Sequence, residues 1–377
     1  MASRFIPTIA TQSLGRAWYH SLEHKLSLCE QYGFESIELF FEDLDGVAKA
    51  LPASNLSSPP GTSYTNPSAV QERLLAAAEY VRELCLRHKL EILCLQPFMH
   101  YEGRLDPASH QQIIQDLHFW IRLAHILGTD LIQIPSNFLP ASETTGSREK
   151  IVTDLREAAD IGLQSSPPIR FAYEALCWGT HVDMWDAAWS IVLDVDRPNF
   201  GTCIDTFNLA GRIFADPASA TGLTPNAYEE TRKSIARLRS ELPIAIEKVF
   251  YVEVCDGERL DKPLLPGHDW YNAQQKPRMS WSRNARLYPF ETPGYLPVLE
   301  ILEAVCQAGY VGHISFELFS RTANQPDKGV PEEHAKRAAM AWRKLERHMN
   351  WNNSTSPSED SSGYVPPQVS CACAPSG

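Results

Sequence analysis

Short runs of hydrophobic residues recur along the chain, and each is followed by a stretch in which hydrophobic residues return at helical spacing. The predicted strands lie at residues 5–14, 36–41, 91–98, 130–136, 170–176, 200–207, 248–256 and 312–319. The predicted helices lie at about residues 22–29, 69–86, 111–127, 147–163, 182–195, 226–242, 296–308 and 331–348. Strands and helices that alternate in this way are typical of an α/β fold, and eight units in sequence predict a closed (β/α)8 barrel.

An open, doubly wound sheet is the alternative arrangement of alternating strands and helices. Such a sheet normally carries a glycine-rich turn directly after its first strand. The sequence there, IATQSLGRAW at residues 9–18, is not such a turn. The closed barrel is therefore the favoured fold.

Two connections are longer and more polar than the rest. Residues 42–68 are rich in Pro, Ser and Gly, which predicts a long irregular insertion after the second strand. The polar and aromatic residues 257–292 predict a second insertion, after the seventh strand. Residues 351–377 show no periodicity and predict a disordered, Ser/Pro-rich tail that follows a single barrel domain of residues 1–350.

Composition narrows the function classes. The 34 basic and 46 acidic residues give a formal charge of −12, which is unfavourable for a surface that must neutralise many phosphates, so no nucleic-acid partner is expected. The N-terminal residues do not resemble a leader sequence, and no segment has the length of a membrane span. A cytoplasmic protein is expected. The chain has nine cysteines, an odd number. Five of them fall inside apolar patterns without the spacing of a metal site, and they are predicted to be reduced core residues: Cys29, Cys85, Cys94, Cys203 and Cys255.

Acidic residues stand at or near the ends of the last four predicted strands. These residues are Glu174, Asp205, Glu253 and Glu317. In a parallel barrel the strand ends meet at one rim, where such barrels carry their chemistry. Four carboxylates there would repel one another unless a cation joined them, so they predict a divalent metal site, and oxygen ligands favour Mg²⁺ or Mn²⁺ over Zn²⁺. Any one acid alone would be explained by a salt bridge, and a fifth, Glu38 in the second strand, is expected to be structural.

The loops that follow the strands carry groups suited to proton transfer and to anion binding. His100, Tyr101 and His181 are candidates for acid–base chemistry near neutral pH. Arginine forks suit a carboxylate, and the candidates for substrate binding are Asn208, Arg212, Arg259 and Arg286. Arg283 and His268 lie in the same insertion as Arg286. Each of these residues, taken alone, is also explained by a structural role; for Arg286 that role would be to hold its own loop through Glu291.

Six segments together carry a resemblance to a known family. They are LQPFMHYEG at 95–103, YEALCWGTHVD at 173–183, IDTFNLAGRIFADP at 204–217, FYVEVCDGERL at 250–260, WSRNARLYPFE at 281–291 and ISFELFSR at 314–321. With these segments the chain resembles the sugar-phosphate isomerase/epimerase-like metal barrels related to xylose isomerase, and among them the fungal 3-dehydroshikimate dehydratases of quinate catabolism. The resemblance covers roughly residues 5 to 348.

The resemblance implies a TIM barrel that binds one divalent ion (Mg, Mn or Co) through Glu174, Asp205, Glu253 and Glu317. It also implies a small anionic substrate, 3-dehydroshikimate, and a lyase that dehydrates it to protocatechuate through a metal-stabilised enediolate. Two positions depart from the pattern, since related barrels often carry Gln or His at position 253 and several carry His at position 208. His181 and His100 are then the candidate bases, with Tyr101 as an acid.

Other activities stay open at this point. A sugar or sugar-phosphate isomerase or epimerase would use the same metal–enediolate chemistry without loss of water. An abasic-site endonuclease of this fold would need a His-rich metal cluster and a basic face, which the sequence does not show. A barrel that only binds a small anion is the non-catalytic alternative. The sequence is compatible with a homo-oligomer.

Overall fold

The computed structural model describes residues 4–52 and 67–351 of the 377-residue chain. Eight parallel strands close into a barrel in the order β1-β10-β7-β6-β5-β4-β3-β2, and two short strands pair separately. The strands are β1 Ile6–Ala10, β2 Ser36–Phe40, β3 Glu91–Gln96, β4 Leu131–Pro135, β5 Arg170–Glu174, β6 Phe200–Asp205, β7 Val249–Glu253, β8 Asp256–Gly257, β9 Arg286–Leu287 and β10 His313–Phe316. The predicted closed barrel is confirmed, and the open sheet is excluded because β1 pairs with both β2 and β10.

Helices surround the barrel between successive strands. They are α1 Leu22–Gln31, α2 Phe41–Ala50, α3 Pro67–Arg87, α4 Pro107–Leu127, α5 Arg148–Gln164, α6 Trp185–Val195, α7 Thr206–Ile213, α8 Ala227–Glu241, α9 Pro277–Ala285, α10 Val298–Gln307 and α11 Val330–His348. Local sequence accounts for their ends. In α4, for example, Asp106 accepts hydrogen bonds from the first free N–H groups, Pro107 opens the helix and Gly128 closes it at φ +80°.

The core has two parts. The main part fills the layer between the barrel and its helices. A smaller cluster inside the barrel consists of Leu93, Cys94, Leu131, Ala172, Cys203 and Tyr251. The seven cysteines within the described residues are all free, and six of them are buried, which confirms the prediction of reduced core thiols. Within the described residues, no helix is long and apolar enough to cross a membrane.

Three local predictions differ from the structure. Residues Phe41–Ala50 form α2 rather than irregular chain, because Leu44, Ala48 and Asp43 are buried on one helical face and Asp43 pairs with the buried Lys25 at 2.7 Å. Of the rest of that predicted insertion, residues 53–66 lie outside the described residues, and its last two residues begin α3. The first strand, predicted over residues 5–14, ends at Ala10, and the chain then forms a 3₁₀ helix over Thr11–Leu14. Helix α7 was not predicted as a separate element.

The second predicted insertion, by contrast, is present between β7 and α10. It contains the antiparallel pair β8–β9 and helix α9. Arg286 opens β9 directly after α9 ends, and the backbone N–H of Arg286 bonds the carbonyl of Phe319, just beyond β10. The insertion is therefore anchored to the rim of the barrel beside the strand ends.

The described chain extends one residue beyond the predicted end of the barrel domain. Trp351 stacks on Phe5, with ring centroids 4.1 Å apart, and also contacts Trp342. The remaining tail, residues 352–377, lies outside the described residues, so its predicted disorder stays a prediction.

A chain that ends at Trp351 is expected to match the full chain in thermal stability and turnover, because the removed residues carry no core-forming pattern. A chain that ends at Asn350 loses the ring stack on Phe5 and should lose about 1–3 kcal/mol in the free energy of unfolding. Denaturant unfolding of the two truncated chains checks this. Equal stability of the two would show that Trp351 contributes no packing energy.

Candidate active site

Four carboxylates meet at the C-terminal end of the barrel. Glu174, Asp205 and Glu253 end β5, β6 and β7, and Glu317 follows β10 directly. One oxygen from each of the four lies within 4.8 Å of the corresponding oxygens of the others, and all four side chains are buried. The register explains the convergence, since Asp205 pairs with Glu253 across adjacent strands. The four acids selected from the sequence are thus brought together.

The electrostatics of this cluster favour a cation. Burial, followed by the charges of Glu317 and Asp205, raises the pKa of Glu174 well above its usual range. Burial also raises the pKa of Glu317 to about 7, against the opposing charge of Arg286. Both carboxyl oxygens of Glu253 are buried and have no hydrogen-bond partner among the residues that the structure describes. Buried acceptors of this kind are costly unless a proton or a metal ion satisfies them, so the residues fit a divalent ion bound through oxygen.

Glu38 belongs to the same buried group. It is fully buried in the middle of β2, where Ser315 and Gln96 donate hydrogen bonds to its two oxygens, the latter at 3.1 Å. Burial raises the pKa of Glu38, and the hydrogen bond from Ser315 opposes that rise. The same Gln96 amide also donates to Glu317 at 3.1 Å. Glu38 therefore lies beside the four candidate metal ligands. The sequence predicted only a structural role for it and did not predict this position.

Side-chain amides hold the carboxylates in place. The amide N–H groups of Gln96 and Gln12 donate to Glu317 at 3.1 Å and 3.4 Å, and Gln133 donates to Glu174. Sequence reasoning missed these three residues. The available signal was a lone amide inside or just after a buried strand, as in EILCLQ of β3 and LIQIP of β4.

Asn208 is the fourth amide of this set. Its Nδ2 donates to Glu174 Oε1 and to Asp205 Oδ2, both at 2.7 Å, and its Oδ1 accepts from the backbone N–H of Cys177 at 3.1 Å. All its polar atoms are thus occupied by the protein. The predicted role of Asn208 in substrate binding has no support in these contacts, which make it a residue that positions two carboxylates.

Arg286 is buried inside the carboxylate cluster. Its Nη1 donates to Asp205 Oδ2 at 2.9 Å, to Glu317 Oε2 at 3.0 Å and to the Glu317 carbonyl at 3.0 Å. Its Nε donates to Ser282 Oγ at 3.1 Å. The alternative partner, Glu291, is wrong, because Glu291 pairs with Arg337 at 2.7 Å instead. Arg286 therefore compensates the negative charge of two carboxylates in the cluster. These contacts do not leave it as a separate binding site for the substrate carboxylate.

Arg286→Met is expected to lower the free energy of unfolding of metal-free protein by about 3–5 kcal/mol, because it leaves two buried carboxylates without their cation. Added Mn²⁺ should recover more of this loss than it stabilises the unsubstituted protein, since a divalent ion would replace the missing charge. Thermal unfolding with and without Mn²⁺ measures both effects. Equal stability of the two metal-free proteins would contradict the role in charge compensation.

A cavity of about 1280 Å³ opens above the carboxylates. Its floor includes Glu174, Glu317, Gln96 and Gln133. Aromatic side chains line part of the cavity, among them Phe98, Trp120, Phe138 and Trp178. Polar side chains of the insertion also line it, and these are Gln275, Ser280, Ser282, Arg283, Asn284 and Arg286. A concave site with apolar walls and a few converging polar groups is the usual form of a small-molecule site.

His100 lines this cavity, and its tautomer follows from its neighbours. Its Nδ1 lies 3.2 Å from Asn137 Oδ1. The Asn137 amide is oriented by the backbone, because Oδ1 accepts from the Leu139 N–H at 2.9 Å and Nδ2 donates to the Glu102 carbonyl at 2.7 Å. An amide oxygen only accepts, so the imidazole proton lies on Nδ1 and the Nε2 lone pair is free. Burial lowers the pKa of His100, which favours this neutral form.

Four other predicted residues do not line the cavity. Tyr101 is fully buried on the opposite side of the turn at His100, whose φ is +63°, and its ring packs beside His110 at 6.1 Å. The Nε2 of His181 lies 3.0 Å from Thr144 Oγ1. Arg212 pairs with Asp183 at 2.6 Å, and Arg259 donates to the carbonyl of Thr221 at 3.1 Å. In this structure none of these four contacts supports a catalytic or substrate-binding role.

Comparison with known proteins agrees with this geometry. A family model described as a xylose isomerase-like TIM barrel matches residues 26–345. A Neurospora crassa protein named 3-dehydroshikimate dehydratase is 51% identical over 341 residues, which is 89% of this chain and 92% of the relative. A Pseudomonas aeruginosa protein of the same name is 28% identical, over 83% of this chain and 38% of the relative.

A solved structure shows the same fold at low sequence identity. The IOLI protein, described with a bound zinc atom, is 19% identical, has a TM-score of 0.62, and matches over 90% of this chain and 98% of its own. At this level of identity the likeness concerns the barrel alone.

Proposed function

Since the chain belongs to the xylose isomerase-like TIM-barrel family, we propose that it is a 3-dehydroshikimate dehydratase, a hydro-lyase that forms protocatechuate. The 51% identity to the Neurospora crassa relative, over nearly all of both chains, is the observation that carries the proposal. The buried carboxylate cluster at the floor of the cavity agrees with it, because the reaction passes through negative charge on oxygen.

Glu174, Asp205, Glu253 and Glu317 would hold the divalent ion, and hard oxygen ligands suit Mg²⁺, Mn²⁺ or Co²⁺. When bound, such an ion supplies Lewis-acid stabilisation of the oxygen on which negative charge develops. Arg286 contributes one further positive charge at Asp205 and Glu317. If all four acids are ionised, the ion and Arg286 together leave the cluster with one net negative charge, which lets an anionic substrate approach more readily than the bare cluster would.

His100 is the proposed general base. In 3-dehydroshikimate the proton on C4 is acidic because the adjacent C3 is a ketone. The Nε2 of His100, which has no hydrogen-bond partner among the described residues, would accept this proton, while Asn137 holds the other ring nitrogen. Transfer of this proton to His100 gives an enediolate. The C5 hydroxyl then departs as water with the proton that His100 returns, and the C3 ketone re-forms. Loss of a C6 proton, with gain of a proton at the C3 oxygen, completes the aromatic ring of protocatechuate. His181, the other candidate base, lies outside the cavity lining.

The direct test is incubation of purified, metal-reconstituted protein with 3-dehydroshikimate. Formation of protocatechuate, followed by its ultraviolet absorbance, is the expected result. An isomerase or epimerase acting on a ketose would leave this compound unchanged and would give no aromatic product. Absence of product at saturating Mn²⁺, Mg²⁺ and Co²⁺ would overturn the proposal.

A further inference from the structure

Four arginines line the cavity, and three of them are held by the protein. Arg286 is bound to Asp205 and Glu317. Arg16 pairs with Glu42, and Arg104 donates to the His100 carbonyl at 2.7 Å and to Ser109. These three cations are therefore fixed in place by the protein.

Arg283 is the exception. Across residues 4–52 and 67–351, it forms no hydrogen bond or ion pair with another side chain or carbonyl, although it lies on the cavity wall. Partial burial and then the positive charge of Arg16 lower the pKa of Arg283, so the two cations lie near each other. A guanidinium that is partly desolvated, unpaired and close to a second cation creates a site for an anion.

Arg283 and the carboxylate cluster line the same cavity. Arg283 lies in the last turn of α9, three residues before Arg286, and Arg286 contacts the carboxylates. A substrate whose reacting carbon lies at the cluster can therefore direct its far side toward the wall that carries Arg283. In 3-dehydroshikimate the carboxylate lies across the ring from the C4 centre.

We propose that Arg283 binds the carboxylate of the substrate and so selects cyclic carboxylic acids over neutral analogues. The inference rests on the proposed dehydratase function and adds to it the residue that recognises the anionic group. The planar guanidinium fork matches a carboxylate with two parallel hydrogen bonds. This role replaces the one that the sequence predicted for Arg286.

The test compares ligands that differ only in the carboxylate. Protocatechuate and catechol share two adjacent hydroxyl groups, but only protocatechuate carries the anionic group. Titration calorimetry of the Mn²⁺-loaded protein should show that Arg283→Met weakens protocatechuate binding about 10- to 100-fold and leaves catechol binding within about threefold. In turnover the same variant should raise KM for 3-dehydroshikimate by a similar factor with kcat changed far less. Arg283→Lys should recover part of the loss, since a single ammonium retains the charge but not the fork.

Arg232→Met is the matched control, because Arg232 is exposed on the outer helix α8 and does not line the cavity. It should leave both affinities unchanged. An Arg283→Met protein that still prefers protocatechuate to catechol as strongly as the unsubstituted protein would overturn the inference. Equal loss of both ligands would also overturn it, since the effect would then be on the shape of the cavity. Failure of the unsubstituted protein to dehydrate 3-dehydroshikimate is a separate result and counts against the proposed function, whatever the binding data show.

Discussion

Glu174→Ala, Asp205→Ala and Glu317→Ala are each expected to reduce kcat about 1000-fold or more. Each substitution removes one oxygen ligand from a cluster whose bound ion is expected to stabilise the enediolate by several kcal/mol, and every 1.4 kcal/mol corresponds to a factor of ten in rate. The side chains end the strands or follow them directly, so the barrel itself should persist. The measurements are kcat from protocatechuate absorbance, metal content of the purified protein, and the circular dichroism spectrum.

Glu247→Ala is a suitable control for these variants. Glu247 lies in a 3₁₀ turn just before β7, at the opposite end of the strand from the cluster. It should keep full activity and metal content. A Glu174, Asp205 or Glu317 variant that kept near-normal turnover and bound metal would show that the four-carboxylate cluster is not the metal site.

His100→Gln is expected to lower kcat by about 10²–10⁴, the usual contribution of a positioned general base, without loss of metal. The pH dependence gives a second measure. Burial lowers the pKa of His100, and a base must be unprotonated. In enzyme saturated with Mn²⁺, whose charge favours the ionised form of the ligand carboxylates, activity should therefore persist below pH 6.5 and fall as the pH passes through the lowered pKa of His100. That loss on the acid side of the profile should disappear in the variant. The comparison is made on kcat/KM, which reports groups of the free enzyme.

His181→Gln separates the two candidate bases. If His181 were the base, its variant would lose the acidic limb and His100→Gln would keep it. Asn137→Ala offers a further distinction, because it removes the acceptor that keeps the His100 proton on Nδ1. It should lower kcat more than it changes KM. An unchanged pH profile in both His100→Gln and Asn137→Ala would exclude His100.

Much of the architecture follows from the sequence, because it depends on local periodicity. All eight predicted helices and all eight barrel strands occur near their predicted positions, because the hydrophobic pattern of a segment already indicates which of its faces is buried. The four acids were found in the same way. In a parallel barrel, every residue at the C-terminal end of a strand lies at the same rim. The convergence of Glu174, Asp205, Glu253 and Glu317 could therefore be predicted without knowing the loops.

The sequence did not determine which partner each loop residue meets. Arg283 and Arg286 are three residues apart, yet one is bound to carboxylates from β6 and β10 and the other is unpaired on the cavity wall. The side-chain amide of Asn208 donates hydrogen bonds to two carboxylates. His100 has a positive φ and lines the cavity, whereas the next residue, Tyr101, does not. These outcomes depend on contacts between segments about 30 to 80 residues apart in the chain. Such contacts form only when the barrel closes, so residue type and spacing identify the candidates while the tertiary structure decides which of them face the substrate.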